Sequence, residues 1–230
     1  MKPLLLLGAA AAAYWWWRYR GPGRQITGAG ASAAARARQL RTPLVRLATA
    51  LDIRTQAEAD AKNWEHGAQG ERLVFKLLQD LVREGWVFLP DRGIPGKRTN
   101  IDLLAVSPRG WLYVLDSKSW DASRRLSIRA GRLYRGRPGG QLQDVTDWLG
   151  GLHRGARAVE TLLGVRPEAI AVMDGPMRSG ERLQFQGLRL VPAADICAVL
   201  RATDRKKLRT NRAARLADTA ARVLPPYLGD

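Results

Sequence analysis

Cysteine is almost missing from this chain. Cys197 is the only one among 230 residues, which excludes an intrachain disulfide and any CxxC metal or redox motif. Histidine is nearly as scarce. His66 and His153 are the only two, too few for a multi-histidine zinc site and weak support for Ser–His–Asp chemistry. No GxxxxGK[ST] run occurs, so no nucleotide cofactor of the P-loop kind is expected. His66 reads as a polar residue ahead of a helix, His153 as a helix residue with no evident partner, and Cys197, within ADICAVL, as core.

Negative charge is absent from the start of the chain: no acidic residue precedes Asp52. Arg18, Arg20, Arg24, Arg36, Arg38, Arg41 and Arg46 lie in that stretch. Over the whole sequence 38 Lys+Arg face 21 Asp+Glu, a formal charge of +17. A domain this basic is expected to meet a polyanion, either nucleic acid or an anionic membrane surface. Heavy use of arginine throughout would give the same total without any partner.

The chain opens MKPLLLLGAAAAAYWWWRYRGPGR, and residues 4–17 carry no charge. Tryptophans followed by arginines suit a membrane interface. A full span takes ~20 residues, and the run reaches that only when counted from Met1 to Tyr19. The first expectation is therefore an N-terminal hydrophobic helix over 1–20 acting as a membrane anchor. The arginines that follow would keep the body of the protein on the cytoplasmic side of the cell membrane, as a single-pass protein. A cleaved signal peptide and an interfacial or soluble helix are the alternatives. GPG at 21–23 ends this segment, and residues 21–62 read as an Ala/Arg-rich linker, helical or partly disordered.

Residues 63–200 read as the main domain and 201–230 as a basic helical tail. Leu73, Val74, Leu77, Leu78, Leu81 and Val82 recur at helical spacing, and Gly85 stops that helix. Strands follow at 86–91, 100–107 and 111–118, the last two joined by a tight turn at 108–110. Residues 126–134 suit a short strand pair and 144–163 a helix. Strands at 168–174 and 188–192 and helices near 193–201 and 205–223 complete the pattern. The fold class is α/β, a mixed β-sheet flanked by helices.

The chemistry concentrates at GWLYVLDSKSW. Strand side chains alternate, so Leu112, Val114, Asp116 and Lys118 share a face. An acid and an amine thus stand side by side where a buried strand ends. A structural ion pair would look the same. In the preceding strand, TNIDLLAV, the turn pairs residues whose numbers sum to about 218, which sets Asp102 opposite Asp116. Two opposed carboxylates need a cation between them, and a divalent metal beside Lys118 would serve. Glu71, in GAQGERLVFKLL, lies three and seven residues before Val74 and Leu78 and so projects toward the buried side of its helix. A first-turn glutamate favoured by the helix dipole is the alternative.

GAQGERLVFKLL followed by TNIDLLAVSPRGWLYVLDSKSW resembles the NERD (nuclease-related) domain, with its Gly-rich GE helix start, NID strand and strand ending in (E/D)xK. The resemblance covers roughly residues 63–175. It implies a restriction-endonuclease-like fold of the PD-(D/E)xK kind, with Glu71, Asp102, Asp116 and Lys118 as catalytic residues. Asp116 stands where that family usually has Glu, and Arg109 replaces a commoner Gly in the turn. The implied activity is divalent-metal-dependent hydrolysis of nucleic-acid phosphodiester bonds, DNA before RNA. A catalytically inactive nucleic-acid-binding or membrane-surface scaffold is the alternative. Mg²⁺ or Mn²⁺ would sit on Asp102, Asp116 and the Ser117 main-chain carbonyl, with Glu71 taking a second ion or holding a metal-bound water. Lys97 and Arg98 beside the site, and Arg124 and Arg125 further on, would hold the backbone phosphates. Burial would lower the Lys118 pKa and its acidic neighbours would raise it. Oligomeric state is left open.

Overall fold

The computed structural model describes residues 28–204 and 211–227. The hydrophobic helix expected over 1–20 lies outside the described residues, as does 205–210 of the tail. Among the described residues no helix is long and apolar enough to cross a membrane.

Among the described residues, four helices precede the first strand: α1 (Ala31–Leu40), α2 (Pro43–Ala50), α3 (Gln56–Leu77) and a short α4 (Gln79–Arg83). The Thr55 side chain caps α3 by accepting the Glu58 N–H at 3.2 Å. The compositional change at residue 63 therefore falls inside one continuous helix. The stretch that reads as a linker is ordered against the domain. Ala31, Ala33 and Ala37 of α1 are buried, as are Ala61 and Ala68 of α3. Arg41 joins the two through ion pairs to Glu58 at 3.0 Å and Glu65 at 2.9 Å.

The main sheet comprises β1 (Val87–Gly93), β2 (Asn100–Val106), β3 (Leu112–Ser119), β7 (Glu168–Asp174), β8 (Leu183–Phe185) and β9 (Leu188–Pro192). Their order is β1-β2-β3-β7-β9-β8. The β1-β2-β3 meander is antiparallel, β3 to β7 and β7 to β9 are parallel, and β8 is an antiparallel edge. The crossover from β3 to β7 carries a second, antiparallel sheet of β4 (Arg125–Arg129), β5 (Arg132–Gly136) and β6 (Leu142–Asp144), then α5 (Gly150–Leu163). The helical period seen from residue 144 starts later than expected. Asp144 belongs to β6 and accepts the Thr146 N–H at 2.9 Å, and a 3₁₀ turn over Thr146–Leu149 intervenes. Residues 142–144 and 183–185 form short strands that sequence pattern alone does not reveal.

Alternation along the strands separates two cores. Leu104, Val106, Leu112, Val114, Ala171, Met173 and Leu190 pack with Leu152 and Val159 of α5 and with Leu216 and Ala220 of α7 (Asn211–Val223). Leu103, Ala105, Tyr113, Leu115, Ile170, Val172 and Val191 pack with Val74, Leu78 and Leu81 and with Ile196 and Leu200 of α6 (Ile196–Asp204). Helices thus cover both faces of the central strands, which explains why their sequences are nearly continuous apolar runs. Cys197 joins the second core only partly buried, its thiol donating to the Leu77 carbonyl at 3.1 Å.

Candidate active site

The β2–β3 ladder pairs Leu103 with Leu115, Leu104 with Val114 and Ala105 with Tyr113, the register expected from the turn. One residue beyond Leu103 the two strands stop exchanging main-chain bonds in the regular way. Asp102 instead accepts the Ser117 N–H on Oδ2 at 3.3 Å. On the neighbouring strand Lys118 Nζ lies 2.8 Å from Asp116 Oδ1 and 2.6 Å from its Oδ2. The side chains of Lys118 and Asp116 are 22% and 14% exposed, so the pair is mostly withdrawn from water. Among the charges near Asp102, that of Asp116 raises its carboxyl most.

Glu71 arrives from α3. Its neighbour Gly70 is what lets the helix come so near. A Cβ at position 70 would stand 3.0 Å from Ser119 Cβ at the end of β3. Glu71 Oε2 accepts the Gly30 N–H at 3.0 Å, so the start of α1 rests directly on the site. Gly30 has φ 73, and a Cβ there would meet the Ala68 carbonyl oxygen at 2.5 Å. Only glycine fits that contact.

A fourth acid, Asp91, was not signalled by the sequence. It sits in β1 with φ 50, a left-handed conformation that aspartate tolerates better than most residues. The β1–β2 ladder pairs Pro90 with Leu103 and Arg92 with Ile101, so Asp91 and Asp102 face each other at a gap between them. Asp91 Oδ2 accepts the Ser32 N–H at 2.6 Å and its Oδ1 accepts from Asn100 Nδ2 at 2.8 Å. The Asn100 amide also donates to Ser32 Oγ at 3.1 Å. Nothing in the pattern WVFLPD marks the aspartate as more than a strand end.

Crowded acids raise one another. Burial pushes the Glu71 carboxyl up to about 7, with the Asp91 and Asp116 charges adding to it and the Gly30 N–H and Lys118 opposing. Burial, then Asp116 and Glu71, holds Asp102 well above the usual carboxylate range. Burial pulls the Lys118 ammonium down, but Asp116, Asp102 and Glu71 together outweigh it and its pKa is raised. Lys118 is therefore a cation, suited to stabilising negative charge and not to acting as a base.

At the rim, Ser119 Oγ donates to Asp174 Oδ2 at 3.0 Å and lies 3.2 Å from His66 Nε2. His66 thus has a partner at the end of β3. The expected phosphate contacts belong to the β1–β2 loop and to the second sheet region. Lys97 and Arg98 are exposed in the β1–β2 loop, and the Arg98 carbonyl accepts the Tyr227 hydroxyl at 3.3 Å. Arg124 and Arg125 belong to the second sheet region. Arg124 is 3.7 Å from Asp121, and Arg125 donates to the Pro176 carbonyl at 3.4 Å.

The donor set suits a hard cation. It is all oxygen, carries more acids than bases, and leaves the buried Ser117 Oγ without a hydrogen-bond partner. Among the described residues, however, no three acids or histidines already stand around a common point. Glu71 is turned to Gly30 and Asp116 to Lys118.

A mixed sheet whose antiparallel pair ends in two acids and a lysine, with a third acid from the preceding helix, fits the layout of the PD-(D/E)xK-like nuclease superfamily. Residues 66–172 match the family model of NERD, the nuclease-related domain, and this segment belongs to that family. The match runs from within α3 to within β7. No curated protein and no solved structure matches the chain.

Proposed function

We propose that this domain hydrolyses phosphodiester bonds in nucleic acid, DNA foremost, with Mg²⁺ or Mn²⁺ as cofactor. The supporting observation is a half-buried Asp102 carboxyl crowded by Asp116, Glu71 and the Lys118 ammonium. Such crowding is unfavourable unless a further cation relieves it. Asp102, Asp116 and the Ser117 main-chain carbonyl would hold the ion, and Glu71 would bind a second one or hold a metal-bound water. When bound, it supplies Lewis acidity and charge relief at a phosphate that no side chain here can match.

The protein's own groups do the rest. Lys118 Nζ is held beside the acids and stabilises negative charge developing on the phosphate oxygens. Substrate would approach along a groove of about 530 Å³ whose lining includes Arg36, Trp64, Arg98, Asn100 and Tyr227. Asn100 links it to the acids through Asp91. Arg36 and Arg98 meet backbone phosphates there, and exposed Trp64 offers a face for stacking a base. Lys97, Arg124 and Arg125 extend the basic path. The apolar N-terminal run would tether the domain to the cell membrane, on its cytoplasmic side.

Cleavage of plasmid, linear DNA and RNA, with Mg²⁺ or Mn²⁺ and with chelator, tests the reading. Asp116→Ala and Lys118→Ala should each lower the rate by about 10²-fold or more while leaving the melting temperature measurable. Activity that survives either substitution removes the site. The second reading, a non-catalytic nucleic-acid-binding scaffold, is favoured by the existing bonds of Glu71 and Asp116. It would show as metal-independent binding without cleavage.

A further inference from the structure

Helix α2 turns its most apolar face outward. Leu44, Leu47 and Leu51 are 78%, 58% and 64% exposed, and Ile53 is 56% exposed. No residue of α2 is buried. The leucines recur at intervals of three and four and so share one stripe. The helix end fixes Ile53 beside them. Asp52 takes a left-handed φ of 57 and the Ile53 N–H returns to the Ala48 carbonyl at 2.8 Å, a Schellman-type stop that sets the apolar residue against the last turn. Val45 and Ala48 are the residues turned toward the domain, and both are half-buried. Four large apolar side chains crowded into ten positions are not scattered surface residues, and they call for a partner.

We propose that α2 lies in the surface of an anionic lipid bilayer, with Leu44, Leu47, Leu51 and Ile53 sunk among the acyl chains. Exposed Arg38, Arg46 and Arg54 flank the stripe, and no acid precedes Asp52. This charge complements anionic headgroups, each arginine strengthening the attraction near the surface. The apolar run at residues 4–17 lies upstream in the same chain, so a bilayer is the partner best placed to meet α2. The contact is independent of whether that run spans the membrane, and of catalysis. With α2 in the interface and α1 joined to the acid cluster through Gly30 and Ser32, the active site would be held at a fixed height above the lipid.

The test uses the full chain with Cys197→Ser and a single new cysteine, Leu47→Cys, carrying an environment-sensitive fluorophore. A Gln184→Cys chain, labelled on the exposed edge strand, is the reference. Vesicles are phosphatidylcholine with phosphatidylglycerol, or phosphatidylcholine alone. The expected result is a blue-shifted label at 47, quenched by lipid-attached nitroxide and protected about five-fold from aqueous iodide relative to 184, with the effect weakened in neutral vesicles. A label at 47 as open to iodide as that at 184 in floated protein overturns the proposal while leaving the N-terminal tether standing. A shift that rises with protein concentration and needs no vesicles assigns the stripe to a second copy, and overturns it as well.

Discussion

Glu71 carries a carboxyl group that is easier to bury with its proton than without. Its pKa in the folded chain is pushed up to about 7 from 4.5. A raised folded pKa means that the stability is fully present below 4.5 and is lost as the pH rises through 7. In chelator, Glu71→Gln keeps an acceptor for the Gly30 N–H and removes the titration. The variant should match the parent near pH 4.5 and melt several degrees above it at pH 8. Parallel melting curves across that range would show that Glu71 is not buried as described. Gly30 is the other residue on which the site turns. Gly30→Ala forces a side chain into a left-handed φ and against the Ala68 carbonyl. The expected loss is about 2 kcal/mol or more, read as a lower urea midpoint with unchanged slope.

Among the elements, the β2–β3 hairpin was the most legible from sequence, and the reason is geometric. A tight turn closed by the Gly110 N–H on the Ser107 carbonyl at 2.9 Å fixes the register, and a fixed register fixes which side chains oppose. The sequence alone therefore sets Asp102 opposite Asp116. Asp91 could not be placed in this way, because it acts from a gap in the β1–β2 ladder that no periodicity announces. Nor could the docking of α1, whose buried residues are alanines. Small side chains give little hydrophobic signal, and their value lies in how closely two backbones approach. The second sheet was half legible. β4 and β5 meet at Ala130 and Gly131, both at positive φ, while β6 is too short to show a pattern. That sheet carries a testable surface. Arg135 lies 5.2 Å over Trp120 and 4.3 Å over Trp148, so it is committed to the aromatic pair. Half-buried Arg124 and exposed Arg137 line one cleft of that sheet. Replacing both by alanine should flatten the salt dependence of DNA binding. The slope of log K against log salt should fall by about 1 for each phosphate that an arginine no longer neutralises. Fluorescence anisotropy over a salt series measures it, and an unchanged slope would place the DNA elsewhere.

At the scale of the whole molecule, the domain that the sequence suggests should begin near residue 63 extends back to Gly28. The family match begins at residue 66, yet Gly30, Ser32 and the alanines of α1 complete the surroundings of Glu71 and Asp91. Two truncations separate these views. A chain without residues 1–27 keeps every described contact and should melt as the parent does. A chain without residues 1–40 is deprived of the N–H donors to two buried carboxylates, each costing about 1–3 kcal/mol, and exposes the α3 surface that α1 covers. For a chain of this length the sum corresponds to a fall of about 10 °C in melting temperature. Any cleavage activity should fall with it, because Asp91 loses the Ser32 N–H and Asn100 loses one of its two partners beside the acids. If the shorter chain melts and cleaves like the longer one, α1 merely rests on the domain and the site is complete without it.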